Sequence, residues 1–325
     1  KVVQQPLKVV DDYDAMENQL VAFIDNEPDG EIALNVTGGT KWMAIAAQSV
    51  FRMKGSAVFY VKAEDDKVLF LEGDPATHNL SQRIDLKTYL QAYGYQFREE
   101  SPITGMLSNL RELCERLVGK VDEWQGAIGQ LNLLASKAES RQILTVTLDQ
   151  LPYQPDQQLH VLLKECEAAG VLQGNVSKQL VFADAQARTW ANGGWLEAYV
   201  NSMLNALKGE GVIQDSPRLS QHIQRIGETS HNEIDVCFMA RNRLHLIECK
   251  TKRMAGKGTA DATTDTVYKL DSISALGGLG TKSMLVSYRE LSKADAQRAK
   301  DLRIEVIQGN EIQSLKSRLR DWINR

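Results

Sequence analysis

Two stretches near the end of the chain, Asn232-Glu233-Ile234-Asp235-Val236 and Leu244-His245-Leu246-Ile247-Glu248-Cys249-Lys250, set charged residues inside apolar runs. The apolar runs 234–238 and 244–249 have the length and composition of strands. The polar triplet Arg241-Asn242-Arg243 between them is typical of a turn. The pattern therefore predicts a β-hairpin that carries charged side chains at its open end.

The charged residues of this hairpin are expected to meet on one face. Residues two apart on a strand share a face, so Glu248 and Lys250 point the same way, and hairpin pairing can bring Asp235 beside them. Two neighbouring carboxylates repel unless a cation lies between them, and hard oxygen ligands suit Mg²⁺ or Mn²⁺. The lysine could then orient or deprotonate a metal-held water. The alternative is a charged hairpin with a solvated face.

A helix precedes the hairpin. Gly193-Gly194-Trp195-Leu196-Glu197-Ala198-Tyr199-Val200 opens an amphipathic helix that is predicted to run to about Leu207. Glu233, beside the strand acid, is assigned a structural role. From Gly193 onward, a helix with an acid followed by a hairpin with Asp, Glu and Lys resembles the PD-(D/E)xK nuclease superfamily. Members of that superfamily cleave phosphodiesters with a metal held by these acids.

The resemblance assigns a role to each motif residue. Glu197 would be the helix acid, Asp235 the first strand acid and Glu248 the variable acid, and Lys250 would be the motif lysine. With the main-chain carbonyl of Cys249, the three acids would hold one or two Mn²⁺ or Mg²⁺ ions. The Pro-Asp pair of the superfamily name is absent here, because an isoleucine precedes the aspartate.

The rest of the C-terminal region alternates between helix and strand, as an α/β domain requires. Helices are predicted at 266–276 and 311–323, and strands at 283–288 and 303–307. Superfamily members often carry a further polar residue on the helix after the lysine strand. Lys269 is a tentative phosphate contact of this kind, and the alternative is a solvated lysine.

Composition limits the class of protein. The 325 residues are 43% hydrophobic and 25% charged, which fits several domains in one soluble chain without a membrane-spanning run or a targeting segment. The four cysteines are scattered without CxxC pairs, which favours a reduced, cytoplasmic setting over zinc or disulfides. The net charge of −4 argues against constitutive coating of duplex DNA.

The N-terminal region has a separate signal. The buried-strand run 31–36 leads into Thr37-Gly38-Gly39-Thr40-Lys41, which opens a helix. A strand that ends in Gly-Gly at a helix N-terminus presents backbone N–H groups to an anion, most often phosphate. The alternative is a tight turn without a ligand. Further strands at 57–61 and 68–71 predict a Rossmann-like α/β unit.

Together, the two ends resemble the CARF-domain (CRISPR-associated Rossmann fold) nucleases of type III CRISPR systems, over nearly the whole chain. The resemblance implies a homodimer that binds a cyclic oligoadenylate, usually the tetra-adenylate, and thereby activates cleavage of single-stranded DNA, RNA or both. The residues carried over to the ligand site are those of the glycine loop: Thr37, Gly38, Gly39, Thr40 and Lys41.

The segment between the two ends is predicted to be a winged-helix-like module. Helical patterns at 138–148 and 156–172 precede a turn and strand at 174–182, but no basic helix face for reading DNA accompanies them. We interpret the module as a spacer and dimer element. The expected domains are therefore 1–139 (CARF), 140–190 (winged-helix-like) and 191–325 (PD-(D/E)xK nuclease).

Two other functions remain open from the sequence. A non-catalytic transcription regulator would sense a nucleotide in the first domain and bind DNA through the middle module. A ring nuclease would instead degrade the cyclic oligoadenylate itself.

Overall fold

The structure, a computed structural model, describes residues 7–26, 32–62, 67–72, 77–79, 83–98, 106, 108–174, 179–213, 215–252, 261–278 and 280–325. The chain divides into two compact units, Lys1–Arg83 and Ile84–Arg325. None of the described helices has both the length and the hydrophobicity needed to span a bilayer.

The first unit carries a four-stranded sheet in its described residues, in the order β1-β2-β3-β4. Its elements are α1 (Tyr13–Asp25), β1 (Ala33–Asn35), α2 (Lys41–Met53), β2 (Ala57–Lys62), β3 (Lys67–Glu72) and β4 (Thr77–Asn79). Strands β1 and β2 are parallel, and the other pairs are antiparallel. The predicted strands at 57–61 and 68–71 are confirmed.

Strand β1 is shorter and less buried than the sequence predicted. The pattern over 31–36 indicated a buried strand, whereas the strand comprises three residues and both Ala33 and Asn35 are exposed. Residue 31 lies outside the described residues. Among the described strands of this sheet, β1 is at the edge, and its residues Ala33 and Asn35 are exposed.

The second unit contains the remaining elements. Its helices are α3 (Leu86–Ala92), α4 (Ser108–Gly119), α5 (Val121–Ser140), α6 (Gln157–Ala168), α7 (Ala185–Thr189), α8 (Trp195–Gly209), α9 (Asp261–Leu276), α10 (Lys293–Asp301) and α11 (Leu315–Asn324). Its strands are β5 (Tyr95–Phe97), β6 (Thr145–Thr147), β7 (Leu172–Gln173), β8 (Gln179–Phe182), β9 (Arg218–Arg225), β10 (His231–Ala240), β11 (Arg243–Lys250), β12 (Lys282–Ser287) and β13 (Glu305–Gln308).

The main sheet of this unit has six described strands in the order β13-β12-β11-β10-β9-β5. Strands β5, β9, β10 and β11 pair antiparallel, and β11, β12 and β13 pair parallel. The predicted hairpin is confirmed, with a shorter turn than expected, because Arg243 already pairs with Ala240. Arg241 and Asn242 have φ of 52° and 55°, as a two-residue type I′ turn requires.

Helices cover both faces of the main sheet. Val236, Phe238 and Ile247 are buried in one cluster with the apolar face of α8. Leu246 and Leu285 are buried in a second cluster with the apolar face of α9. Neighbouring residues of β11 thus enter different cores, which is the period-two alternation of a strand buried on both sides.

The middle module consists of α6 and a three-stranded antiparallel sheet in the order β6-β8-β7. Helix α6 and the apolar face of α5 are buried in the same cluster as α8. This packing places α5 in the second compact unit, and β5 pairs with β9 of the main sheet. The division between compact units therefore lies at 83/84 rather than at the expected boundary of 139/140, which falls within α5. The three-domain division remains a prediction.

Gly193 allows the start of α8 to approach the residue after the end of β11. It lies in a π-helical turn between α7 and α8 with φ of 121°, a conformation in which side chains are strained. A Cβ atom at this position would lie 2.7 Å from Oγ1 of Thr251. The buried Thr251 side chain also accepts a hydrogen bond from Nδ2 of Asn132 on α5, at 2.9 Å.

Replacing Gly193 by alanine should lower the free energy of unfolding by about 2 kcal/mol, because the new Cβ combines backbone strain with a steric overlap. Gly209→Ala at the end of the same helix is the matched control. Its Cβ would meet no atom within 4 Å. We expect the free energy of unfolding of this variant to be unchanged or to rise by up to about 1 kcal/mol. Chemical denaturation of both variants measures the difference. Equal stability of the two variants would contradict the prediction, and Thr251→Ala should recover part of the loss in the Gly193 variant.

Candidate active site

The hairpin brings Asp235 against the backbone of the lysine strand. The register pairs Val236 with Ile247, and the adjacent Asp235 side chain accepts a hydrogen bond from the N–H of Cys249 at 2.7 Å through Oδ2. Asp235 is only 7% exposed. Burial raises the pKa of its carboxyl to about 8, and the charges of Glu248 and Glu197 contribute to the rise.

Glu248 lies between two lysines. Its Oε1 accepts a hydrogen bond from Nζ of Lys250 at 2.6 Å, and Nζ of Lys269 lies 3.5 Å from the same oxygen. Burial acts to lower the pKa of Lys250, but the carboxylates of Glu248 and Asp235 outweigh it and hold that pKa well above the usual value. Lys250 is therefore a cation at neutral pH, and it neutralises part of the acid cluster.

Helix α8 contributes Glu197 from its first turn. Oε2 of Glu197 accepts a hydrogen bond from Oγ of Ser220 at 3.1 Å. Burial raises the pKa of Glu197, and the nearby charges of Glu233 and Glu248 raise it further. The helix acid predicted from the sequence thus interacts with the acid of the lysine strand.

Two residues near the acids were missed in the sequence analysis. Glu233 was given a structural role, yet its charge acts on Glu197, and its position two residues before Asp235 places both on one face of a regular strand. That spacing was visible in the sequence. Ser220 was not visible, because its place beside Glu197 depends on a strand residue in the left-handed region, with φ of 48°.

The chemistry of this cluster fits a divalent cation. Glu197, Asp235 and Glu248 supply hard oxygen ligands, and the pKa of Asp235 is raised first by burial and then by the charges of Glu248 and Glu197. The carbonyl of Cys249 belongs to the same strand segment, between Glu248 and Lys250. Within the described ranges, however, no three Asp, Glu, His or Cys side chains are close enough together to ligate one ion. Lys250 instead provides the counter-charge that contacts Glu248.

The glycine loop of the first unit is open to solvent. Residues 37–41 are all exposed, and a Cβ atom on Gly38 would meet nothing within 4 Å. Gly39 has φ of 82°, and Thr40 caps α2 by accepting a hydrogen bond from the N–H of Met43. Oγ1 of Thr37 donates to Asn35 at 2.6 Å and accepts from the N–H of Val61 at 2.7 Å, which fixes the loop between β1 and β2. An anion can therefore approach the N-terminus of α2.

The raised pKa of Asp235 predicts a stability that depends on pH. Between about pH 4 and pH 8 the folded chain holds a proton that the unfolded chain releases, so the free energy of unfolding falls as pH rises through this window. Asp235→Asn keeps an acceptor for the N–H of Cys249 but removes the charge. In chelator at pH 8 we expect this variant to exceed the wild type by about 2 kcal/mol and to lose this pH dependence.

Thermal denaturation from pH 5 to pH 8, with and without Mg²⁺, measures this effect. Mg²⁺ should stabilise the wild type at pH 8 more than it stabilises Asp235→Asn. The exposed Asp301, changed to Asn, is the control and should follow the wild type. If the stability of Asp235→Asn depends on pH as steeply as that of the wild type, a group other than Asp235 is responsible for the pH dependence.

Comparisons with known proteins identify the domains of the chain. Residues 3–89 match the Card1 CARF domain, and residues 184–325 match the Card1-like endonuclease domain. The crystal structure of protein VC1899 from Vibrio cholerae is 30% identical, with a TM-score of 0.82, and the match covers 96% of this chain and 81% of that one. No curated protein sequence matches the chain.

A second solved structure is that of Can2 from Sulfobacillus thermosulfidooxidans in complex with cyclic tetra-adenylate. It is 28% identical, with a TM-score of 0.78, and the match covers 97% of this chain and 82% of that one. The fold class predicted from the sequence is therefore confirmed, and a Card1-like endonuclease domain implies dependence on a divalent metal. The chain belongs to the Card1-like family, in which a CARF domain precedes an endonuclease domain, and it is an endonuclease.

Proposed function

We propose that this endonuclease is activated by a cyclic oligoadenylate, most simply cyclic tetra-adenylate, and cuts single-stranded DNA or RNA in type III CRISPR defence. The observation that carries the proposal is the meeting of Glu197, Asp235, Glu248 and Lys250 at the end of one hairpin in a chain that also has a CARF domain. A non-catalytic regulator would leave this cluster of buried acids without a purpose.

The proposed catalytic roles follow from the charges of the site. Glu197, Asp235, Glu248 and the carbonyl of Cys249 would hold one or two Mn²⁺ or Mg²⁺ ions. When bound, the metal lowers the pKa of a water and offsets charge on the phosphoryl oxygens. Lys250, which is cationic, orients the attacking hydroxide and stabilises the charge that develops in the transition state. Since its pKa is raised, an electrostatic role suits this lysine better than that of a general base.

The glycine loop supports the choice of activator. Thr37, Gly38, Gly39, Thr40 and Lys41 would contact the cyclic oligoadenylate, with exposed N–H groups and a lysine that suit a phosphodiester. Can2, which is similar along 97% of this chain, binds cyclic tetra-adenylate. Ligand binding would shift the population of the protein towards a cleaving state.

A homodimer would place two such loops around a symmetric ligand. Helix α2 exposes large apolar side chains, namely Trp42, Ile45 and Met53, which a second copy of the first domain could cover. The winged-helix-like module would then act as a spacer and dimer element. The four cysteines are free and buried, as suits the reducing cytoplasm in which we place the protein.

Cleavage of a labelled single strand tests the proposal. With Mn²⁺ and cyclic tetra-adenylate, we expect the wild type to cut DNA or RNA oligonucleotides, and omission of either component should abolish cutting. Lys250→Ala and Glu248→Ala should each lower the rate at least about 100-fold without unfolding the chain, since each removes charge at the reacting centre. Unimpaired cleavage by either variant would exclude its assigned role. Recovery of intact cyclic tetra-adenylate after incubation would separate this enzyme from a ring nuclease.

Lys269 is proposed to contact the substrate phosphate. It lies 3.5 Å from Glu248 and is close enough to the acids to act on the same phosphodiester. Lys269→Ala should lower kcat/KM about tenfold, the loss expected for one charged contact. Lys300→Ala, an exposed lysine on α10, is the matched control and should leave cleavage unchanged. Equal activity of the two variants would identify Lys269 as a solvated lysine.

A further inference from the structure

A cavity of about 590 Å³ lies in the second unit, and its lining comes from α5, from the loop before α6 and from the residues that follow β11 and β12. Its volume lies in the range of small-molecule sites, which is about 300–1,000 Å³. The lining residues that matter here are Gly129, Asn132, Tyr153, Gln154, Lys252 and Arg289.

Two cations enter this cavity from the ends of neighbouring parallel strands. Lys250 pairs with Ser287 at the ends of β11 and β12, and Lys252 and Arg289 each follow two residues later. The charge of Glu139 at the end of α5 acts on Lys252, and the side chain of Lys252 is exposed at the cavity. The cavity is therefore adjacent along the chain to the proposed catalytic lysine.

Arg289 is held in place by α5. Its Nη2 donates a hydrogen bond to the backbone carbonyl of Gln125. Gly129 makes this approach possible, because a Cβ atom there would lie 2.6 Å from the same Nη2. The guanidinium is thus a fixed part of the cavity wall rather than a solvated side chain.

The cavity also offers a neutral group that suits a nucleotide base. Tyr153 is 58% exposed and presents an aromatic ring at the rim. The cavity also contains Asp156, which caps α6 by accepting from the N–H of Gln158.

We propose that this cavity binds one nucleotide of the single-stranded substrate, next to the phosphodiester that is cut. Lys252 and Arg289 hold its phosphate, and Tyr153 stacks on its base. The inference rests on the proposed function, because it assigns a subsite to the same substrate. A strand suits the cavity better than a free nucleotide does, since Lys252 continues directly from the strand that carries Lys250 and Arg289 continues from the neighbouring strand.

Binding and cleavage by cavity variants test the inference. Fluorescence anisotropy with a labelled single strand, in chelator and with cyclic tetra-adenylate present, gives Kd without cleavage. Lys252→Ala and Tyr153→Ala should each raise Kd at least about fivefold, and Tyr153→Phe should keep the wild-type value because it keeps the ring. In cleavage assays with Mn²⁺, KM should rise in parallel while kcat changes less than about twofold.

The salt dependence of binding distinguishes the phosphate contact of Lys252 from the stacking contact of Tyr153. The logarithm of the binding constant falls linearly with the logarithm of the salt concentration, and Lys252→Ala should make this slope less steep by about 0.7, the value for one phosphate contact on a single strand. Tyr153→Ala should leave the slope unchanged. Lys164→Ala, an exposed lysine on α6 outside the cavity, is the control for charge. Thermal denaturation shows whether each variant is folded. If Lys252→Ala is unfolded, the Kd of Tyr153→Ala alone tests the inference.

Failure of the cavity inference and failure of the proposed function give different experimental results. Wild-type Kd and KM in both Lys252→Ala and Tyr153→Ala would overturn the subsite while cleavage by the wild type stands. Tighter binding of free AMP than of the strand, lost in Lys252→Ala, would also overturn it in favour of a free nucleotide. Absence of cleavage by the wild type would remove the proposed function, whereas loss of strand affinity in the two variants would still support the cavity.

Discussion

The proposed nuclease site depends on carboxylates that are buried at the open end of one hairpin. Asp235 and Glu248 are both nearly inaccessible. Asp235 accepts a hydrogen bond from the N–H of Cys249, and Glu248 contacts the ammonium groups of Lys250 and Lys269. Burial raises the pKa of Asp235, and the charges of Glu248 and Glu197 add to the rise. The fold maintains this unfavourable arrangement because helices cover both faces of the sheet. Buried carboxylates with perturbed pKa values are typical of functional sites.

The surrounding elements add charge to the hairpin from different directions. Helix α8 brings Glu197, and α9 brings Lys269, each from an opposite face of the sheet. Helix α5 acts on the next residue along the lysine strand, since the side chain of Thr251 lies between Asn132 and Gly193. Thr251, the residue after Lys250, is therefore held by these contacts. The same helix forms a wall of the neighbouring cavity, so the proposed catalytic and substrate-binding groups share one support.

The first unit is organised around backbone groups rather than buried charge. The glycine loop is set by Thr37, which bridges β1 and β2, and by the capping hydroxyl of Thr40. These are local hydrogen bonds within a short stretch, and they leave the N-terminus of α2 open. The proposed sensing and cleavage sites thus rest on different physical features, namely an exposed turn at a helix N-terminus in one unit and buried acids in the other.

The sequence by itself determined the hairpin, its alternation and the convergence of Glu248, Lys250 and Asp235, because strand periodicity and a short turn are local properties. It also marked the strand-loop-helix around Gly38. The tertiary structure decided the rest. Ser220 and Lys252 gain their meaning from neighbours that are distant in sequence, and the division between compact units at 83/84 follows from long-range pairing of β5 and packing of α5. Such contacts depend on how the helices and strands pack together, and a local sequence pattern does not predict that packing.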